Sequence, residues 1–305
     1  MSIVDKYDIN YLMWIYLALF SALVYSLRSI VEKKSLVKID KYVLAFGLRI
    51  FALPFFVIPF ILNPSLLVPI NDISILSWIA IIFVSVISSP IEVLFFYKAL
   101  QMAEVTELVP LLSITPIFTM LFNLLIFHSY PSAIGLLGVL IIIVAIYVLN
   151  ITKLKEGIFQ PFLHLYHDRA SRYLALMMIF NSLGVVIDKL AISGTNPYYY
   201  ALINYSLLSI TLAIIVFVKA KNSVYQIKNN FKTFLLLGLI VFMYTIPRNF
   251  AISGSNAGYV AAVLSSSVIF STIIGLVFFK EKNMFIKLAS SMIAFLGISI
   301  IKLFG

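Results

Sequence analysis

Of 305 residues, 62% are hydrophobic and 11% charged, with no cysteine and a formal net charge of +10. That balance leaves too few polar groups to cover a water-soluble globule. The lack of thiols excludes disulfides, thiolate nucleophiles and cysteine metal sites, and the positive charge fits basic loops beside an anionic membrane face better than a nucleic-acid surface.

The chain opens on a short mixed-charge segment, Met1–Asn10, unlike a cleavable signal. Five apolar runs follow: Tyr11–Val31, Tyr42–Leu62, Ser74–Tyr97, Val105–Phe127 and Ser132–Leu149. Five more close the chain: Tyr173–Ile192, Tyr198–Val218, Phe231–Phe250, Tyr259–Phe279 and Met284–Leu303. A membrane-crossing helix needs about 20 apolar residues. Lipid cannot satisfy backbone polar groups, so such runs cross as helices. The expected fold class is all-α: a polytopic membrane protein of ten transmembrane helices. Short loops leave no room for a soluble domain. Between the two sets, Phe162, Leu163, Leu165 and Tyr166 mark an interfacial amphipathic linker. His164 and His167 beside Asp168 give a His-x-x-His spacing there, but a metal site needs more ligands and a fixed frame. No metal or other cofactor is expected.

Runs six to ten repeat runs one to five. Ser26-Leu-Arg-Ser-Ile-Val-Glu32-Lys33 lies over Ser182-Leu-Gly-Val-Val-Ile-Asp188-Lys189, and the same register sets Tyr42 over Tyr198 and Ala45 over Ala201. Ala99–Phe127 lies over Ala251–Phe279, matching Leu112 to Leu264, Ser113 to Ser265 and Phe118 to Phe270. An odd number of spans per half turns the second half upside down. The expected organisation is two inverted five-helix repeats, residues 1–150 and 173–305, joined by a linker at 151–172.

Charge sets the orientation. Of the 22 Lys and Arg, 16 fall on one side of a ten-span layout, among them Lys33, Lys98, Lys219 and Lys280. Three fall on the other side, Lys6, Lys189 and Lys302, and Arg28, Arg49 and Arg248 lie within spans. The basic side should be cytoplasmic. Both termini are then expected to face outward from the plasma membrane.

Leu23–Lys34 leading to Asp40-Lys-Tyr-Val-Leu-Ala-Phe-Gly-Leu-Arg49, Phe95-Phe-Tyr-Lys-Ala-Leu100 leading to Leu112–Phe127, and Phe279-Lys-Glu281 resemble the ten-helix EamA-type drug/metabolite transporters. The resemblance covers nearly the whole chain. It implies transport of small metabolites, often outward, through a cavity lined by spans one to four and six to nine, with spans five and ten at the periphery. It also implies cytoplasmic termini, the reverse of what the charges argue here.

Ionisable groups inside lipid-spanning helices are costly and usually face a cavity or a partner. Arg49, about two turns into span two, is a candidate anchor or a structural clamp on carbonyls. Glu92 follows Pro90, which removes a backbone hydrogen bond, so this acid is a candidate proton or cation acceptor. Arg248 follows Pro247 at nearly the corresponding place, and a Glu92–Arg248 contact is one arrangement for it. Arg28, Asp188 and Lys189 lie near helix ends, where snorkelling to water or a neighbouring pair explains them. Asn123, Asn181, Asn204 and Ser266 can donate and accept hydrogen bonds, and Tyr97, Tyr205 and Tyr244 add a ring and a hydroxyl. The bland reading of the serines is close helix packing. Together the expected substrate-binding set is Arg49, Glu92, Tyr97, Asn123, Asn181, Asn204, Tyr205, Tyr244, Arg248 and Ser266.

No glycine-rich phosphate loop appears, so energy would come from a gradient or exchange. The expected function is secondary transport of a small polar or zwitterionic, amino-acid-like metabolite by alternating access. A membrane-embedded enzyme acting on a lipid-like substrate is the alternative, though the carboxylates are scattered. A non-transporting scaffold has little reason to keep buried charges. Expected partners are a small-molecule metabolite and membrane lipid, with a homodimer as a possible assembly and no nucleic acid.

Overall fold

The computed structural model describes residues 13–102, 114–150, 169–220, 222–279 and 284–304, all helix or connecting turn. Six described helical stretches are long and apolar enough to cross a membrane: Met13–Ser35, Lys41–Leu62, Ile75–Phe96, Arg169–Ser193, Pro197–Lys219 and Phe231–Gly254. Four shorter apolar helices, Thr115–Phe127, Ala133–Leu149, Ala257–Ser271 and Leu288–Phe304, complete ten. These are spans one to ten in chain order, and each overlays one apolar run of the sequence. The described chain is therefore all-α and polytopic. The His164–His167 spacing and the amphipathic linker lie outside the described residues.

Several spans are interrupted, for local reasons. Span two divides into Lys41–Ile50 and Leu53–Leu62 because Pro54, at the start of the second piece, cannot donate to the turn before it. The Ala52 N–H tightens instead onto the Arg49 carbonyl at 3.1 Å. In span three a π-helical turn, Phe83–Ser88, precedes the helix Ser89–Met102 that carries Pro90. The wide turn absorbs the donor that proline lacks, so the helix continues rather than opening. Span nine breaks at Ser266 without a proline, and the Ser266 hydroxyl donates to the Val263 carbonyl at 2.6 Å. Spans two and seven start alike. Asp40 accepts from the Tyr42 and Val43 N–H groups, and Asn196 from those of Tyr198 and Tyr199. The Asn196 amide also donates to the Leu66 carbonyl at 2.8 Å, fixing the loop after span two to the start of span seven.

The chain divides into two compact units, Met1–Pro90 with Ile187–Gly254, and Ile91–Val186 with Ser255–Gly305. Each draws spans from both sequence halves. In the first, span one packs on span eight, and span two on spans seven and eight. Its core joins Val43, Leu44, Leu48 and Phe56 of span two to Phe234, Leu237 and Val241 of span eight. Two glycines permit the close approach. The Phe234 ring lies where a side chain on Gly47 would stand, and the Phe51 carbonyl lies where one on Gly238 would stand. In the second unit, span four packs on span nine and span five on span ten. Gly138 and Gly297 meet backbone to backbone: a Cβ on either would stand 2.8 and 2.7 Å from the other's carbonyl oxygen. Phe95 and Ala99 of span three pack there against Leu174 and Met177 of span six. Between lipid-embedded helices there is little hydrophobic drive, so such small-residue contacts carry the packing.

The main packing pairs repeat under an exchange of repeats. Adding five to each span turns the pair one–eight into six–three, and leaves two–seven, four–nine and five–ten unchanged. All of these pairs occur.

Candidate functional site

The first unit holds a bonded polar network that joins spans six, seven and eight. Arg248 on span eight donates from Nη2 to Asp188 Oδ2 on span six at 2.7 Å, and 14% and 6% of the two side chains are exposed. The other Asp188 oxygen accepts from the Tyr200 hydroxyl on span seven. Tyr200 in turn accepts from the Asn204 amide, one turn along, at 2.5 Å. On the other side Arg248 Nη1 donates to Asn249 Oδ1 at 3.3 Å, and the Asn249 amide donates to the Pro197 carbonyl at 3.2 Å. That carbonyl belongs to the first turn of span seven, so the path leaves and returns to the same helix. Both terminal nitrogens of Arg248 thus reach an acceptor, as a buried charge requires.

A second cluster lies on spans one, seven and eight of the same unit. Arg28 Nε donates to Glu32 Oε1 at 2.8 Å, one turn along span one. The guanidinium sits 5.4 Å from the Tyr25 ring centre and 6.0 Å from that of Tyr244. Those two rings lie 5.2 Å apart. Nearby on spans seven and eight, the Tyr205 and Thr245 hydroxyls bond at 2.8 Å. With 13% of its side chain exposed, Arg28 is held by Glu32 and the rings rather than reaching for water. Tyr244 belongs to this cluster and stands one helical turn from Arg248 of the first.

Arg49 donates from Nη1 to the Ala45 carbonyl of its own helix at 2.8 Å, which is the clamp among its two expected roles. Of the expected site residues, Asn204 and Arg248 thus share one network, and Tyr205 and Tyr244 take part in the other cluster. Glu92, Asn123, Asn181 and Ser266 belong to the second unit. Glu92 and Asn181 are half-buried there, Ser266 is buried, and the Tyr97 side chain lies outside what is described. Asn123 is fully buried with neither amide atom hydrogen-bonded. An unpaired amide in an apolar interior costs several kcal/mol, so Asn123 is where a polar ligand atom would gain most in that unit.

Sequence reasoning misses Tyr200. The signal was present, because Tyr200 and Asn204 stand four apart and share a helix face. For Asp188 sequence offers Lys189 or a neighbour as partner, whereas the structure gives it Arg248, 60 residues away. A cavity of about 540 Å³ also opens in the first unit, lined by Phe20, Ile58, Pro59, Tyr198, Phe242 and Ile246 among others. It is apolar, and none of the expected site residues lines it.

The fold and site can be set beside known proteins. Among the solved structures that match is a crystal structure with a TM-score of 0.75 at 12% sequence identity, over 95% of this chain and 96% of the other. That likeness is one of fold alone. No curated protein sequence matches the chain. The EamA-like transporter family model matches twice, over residues 12–151 and again over residues 170–303. The two matches cover nearly all of both halves of this multi-pass membrane protein, and the chain belongs to the EamA-like transporter family.

Proposed function

We propose that the protein is a secondary transporter that moves a small polar or zwitterionic, amino-acid-like metabolite across the plasma membrane by alternating access. The family is one of membrane transporters, not enzymes. What supports the finer reading is the Arg248–Asp188–Tyr200–Asn204 network, a buried, hydrogen-bonded charge set on three spans. Buried charge in a membrane helix is costly and is kept for function or specific pairing. Arg248 anchors the carboxylate of the cargo, Asn204 orients that site through Tyr200, and Tyr205 and Tyr244 cover the apolar part of the cargo with Arg49 bracing span two. Within the second unit, taken by itself, Glu92, Tyr97, Asn123, Asn181 and Ser266 are the proposed polar residues, Glu92 as a proton or cation acceptor. The charge bias of the loops supports outward termini, which a reporter fused to the C-terminus reads directly.

Flux of a panel of radiolabelled amino acids into proteoliposomes tests the reading. At least one should move, and Arg248→Gln should abolish its movement while leaving the protein in the membrane. Folded protein that moves none of the panel overturns the proposal.

A further inference from the structure

Asp188 does not grip Arg248 as firmly as a carboxylate can. One of its oxygens is committed to the Tyr200 hydroxyl, so the other meets a single guanidinium nitrogen at 2.7 Å. The remaining Nη1 makes a longer bond, 3.3 Å, to Asn249 Oδ1. A carboxylate that presents both oxygens to the fork makes two parallel charge-assisted bonds. A free carboxylate therefore has an advantage over the resident one, which Tyr200 holds back.

We propose that Asp188 is a stand-in for the anionic group of the cargo: it occupies Arg248 in the empty protein, yields it to an arriving carboxylate, and takes up one proton as it does so. This rests on the reading of Arg248 as the cargo's anchor. The proton follows from charge. Once the incoming carboxylate neutralises Arg248, Asp188 would be a buried anion without a cation, which is far costlier than a buried neutral acid. One proton moves from water to Asp188 Oδ2 for each carboxylate bound, and returns to water when the carboxylate leaves and Asp188 regains Arg248. The surroundings allow this. Span seven brings Tyr200 and Asn204 to Asp188, and span eight brings Arg248 with Tyr244 one turn before it. Lys189 follows Asp188 on its own helix. Span one, packed on span eight, carries Arg28 and Glu32, which neutralise each other. Tyr200, held by Asn204, keeps Asp188 in place while Arg248 is engaged elsewhere.

The test uses acetate as the bare carboxylate and acetamide as its uncharged counterpart, on the whole detergent-solubilised protein. A pH indicator in weakly buffered solution near pH 7 should report about one proton taken up per wild-type protein on adding acetate, and none on adding acetamide. Asp188→Asn keeps the bonds to Tyr200 but leaves Arg248 without its competitor. Removing a competing state raises apparent affinity by the fraction it occupied, so half-saturation in acetate thermal-shift titrations should fall about tenfold or more, with no proton uptake. Acetate binding to wild type without proton uptake overturns the inference, as does equal or weaker acetate binding by a folded Asp188→Asn. If that variant does not fold, the wild-type proton measurement decides alone. Amino-acid flux without acetate-linked proton uptake defeats this inference and leaves the transport reading standing. Proton-linked acetate binding without any flux does the reverse.

Discussion

Glu32 and Asp188 occupy the same position in the two repeats, and each carries an arginine, yet the two pairs are built differently. Glu32 takes Arg28 from its own helix, one turn back, with 25% of its side chain exposed. Asp188 takes Arg248 from another helix, with 6% exposed. The first pair is fixed by helix geometry and survives any shift of one span against another. The second exists only while spans six and eight keep their present spacing. A duplicated acid has thus become a helix-internal brace in one repeat and a contact between helices in the other. A contact between helices is the kind that can change between two states of a transporter.

The largest difference should appear when one charge of each pair is removed. Arg248→Ala leaves Asp188 buried and unpaired, at a cost of about 3–5 kcal/mol. A large fall in thermal midpoint of the detergent-solubilised protein should report it. Arg248→Leu with Asp188→Leu should recover most of the loss, since an apolar pair replaces a buried ion pair at little cost. If the double variant is no more stable than Arg248→Ala alone, the pair is not the source of the loss. Next comes Tyr200→Phe, which takes one donor from Asp188 and leaves the Asn204 amide without its acceptor, for about 1–3 kcal/mol. Tyr25→Phe, beside the other pair, keeps its ring against Arg28 and should lower the midpoint less than Tyr200→Phe does.

How much of this was readable in advance follows the same division. Local features were legible. Ten apolar runs mark ten helices, the register that sets Tyr42 over Tyr198 also sets Asp40 over Asn196, and both residues cap a span. Pro90 marks the irregular part of span three, although its form, a π turn that lets the helix run on, depends on packing that composition does not carry. The break at Ser266 has no proline to announce it. The spacing of four between Arg28 and Glu32 is itself a pairing signal, and snorkelling is the wrong reading for Arg28 because the rings of Tyr25 and Tyr244 cover it. Arg248 and Asp188 carry no such signal. No periodicity relates residues 60 apart, and an acid–lysine doublet at a helix end points to a local partner. The burial that makes that pair consequential is a product of packing.

The smallest effect distinguishes what holds Arg28 from what holds Arg248. Arg28→Lys keeps the positive charge within reach of Glu32 but exchanges a flat guanidinium for a compact ammonium. What is lost is mainly the contact with the two tyrosine rings, worth about 0.5–1 kcal/mol for a partly exposed cation. A shift of a degree or two in thermal midpoint is expected. Arg248→Lys also keeps the charge, but one ammonium cannot reproduce bonds to Asp188 and Asn249 in two directions. Its loss should therefore exceed that of Arg28→Lys several-fold. Equal shifts for the two lysine variants would mean that charge alone holds both pairs, and that the interhelical pair has no geometric demand beyond that of the brace within span one.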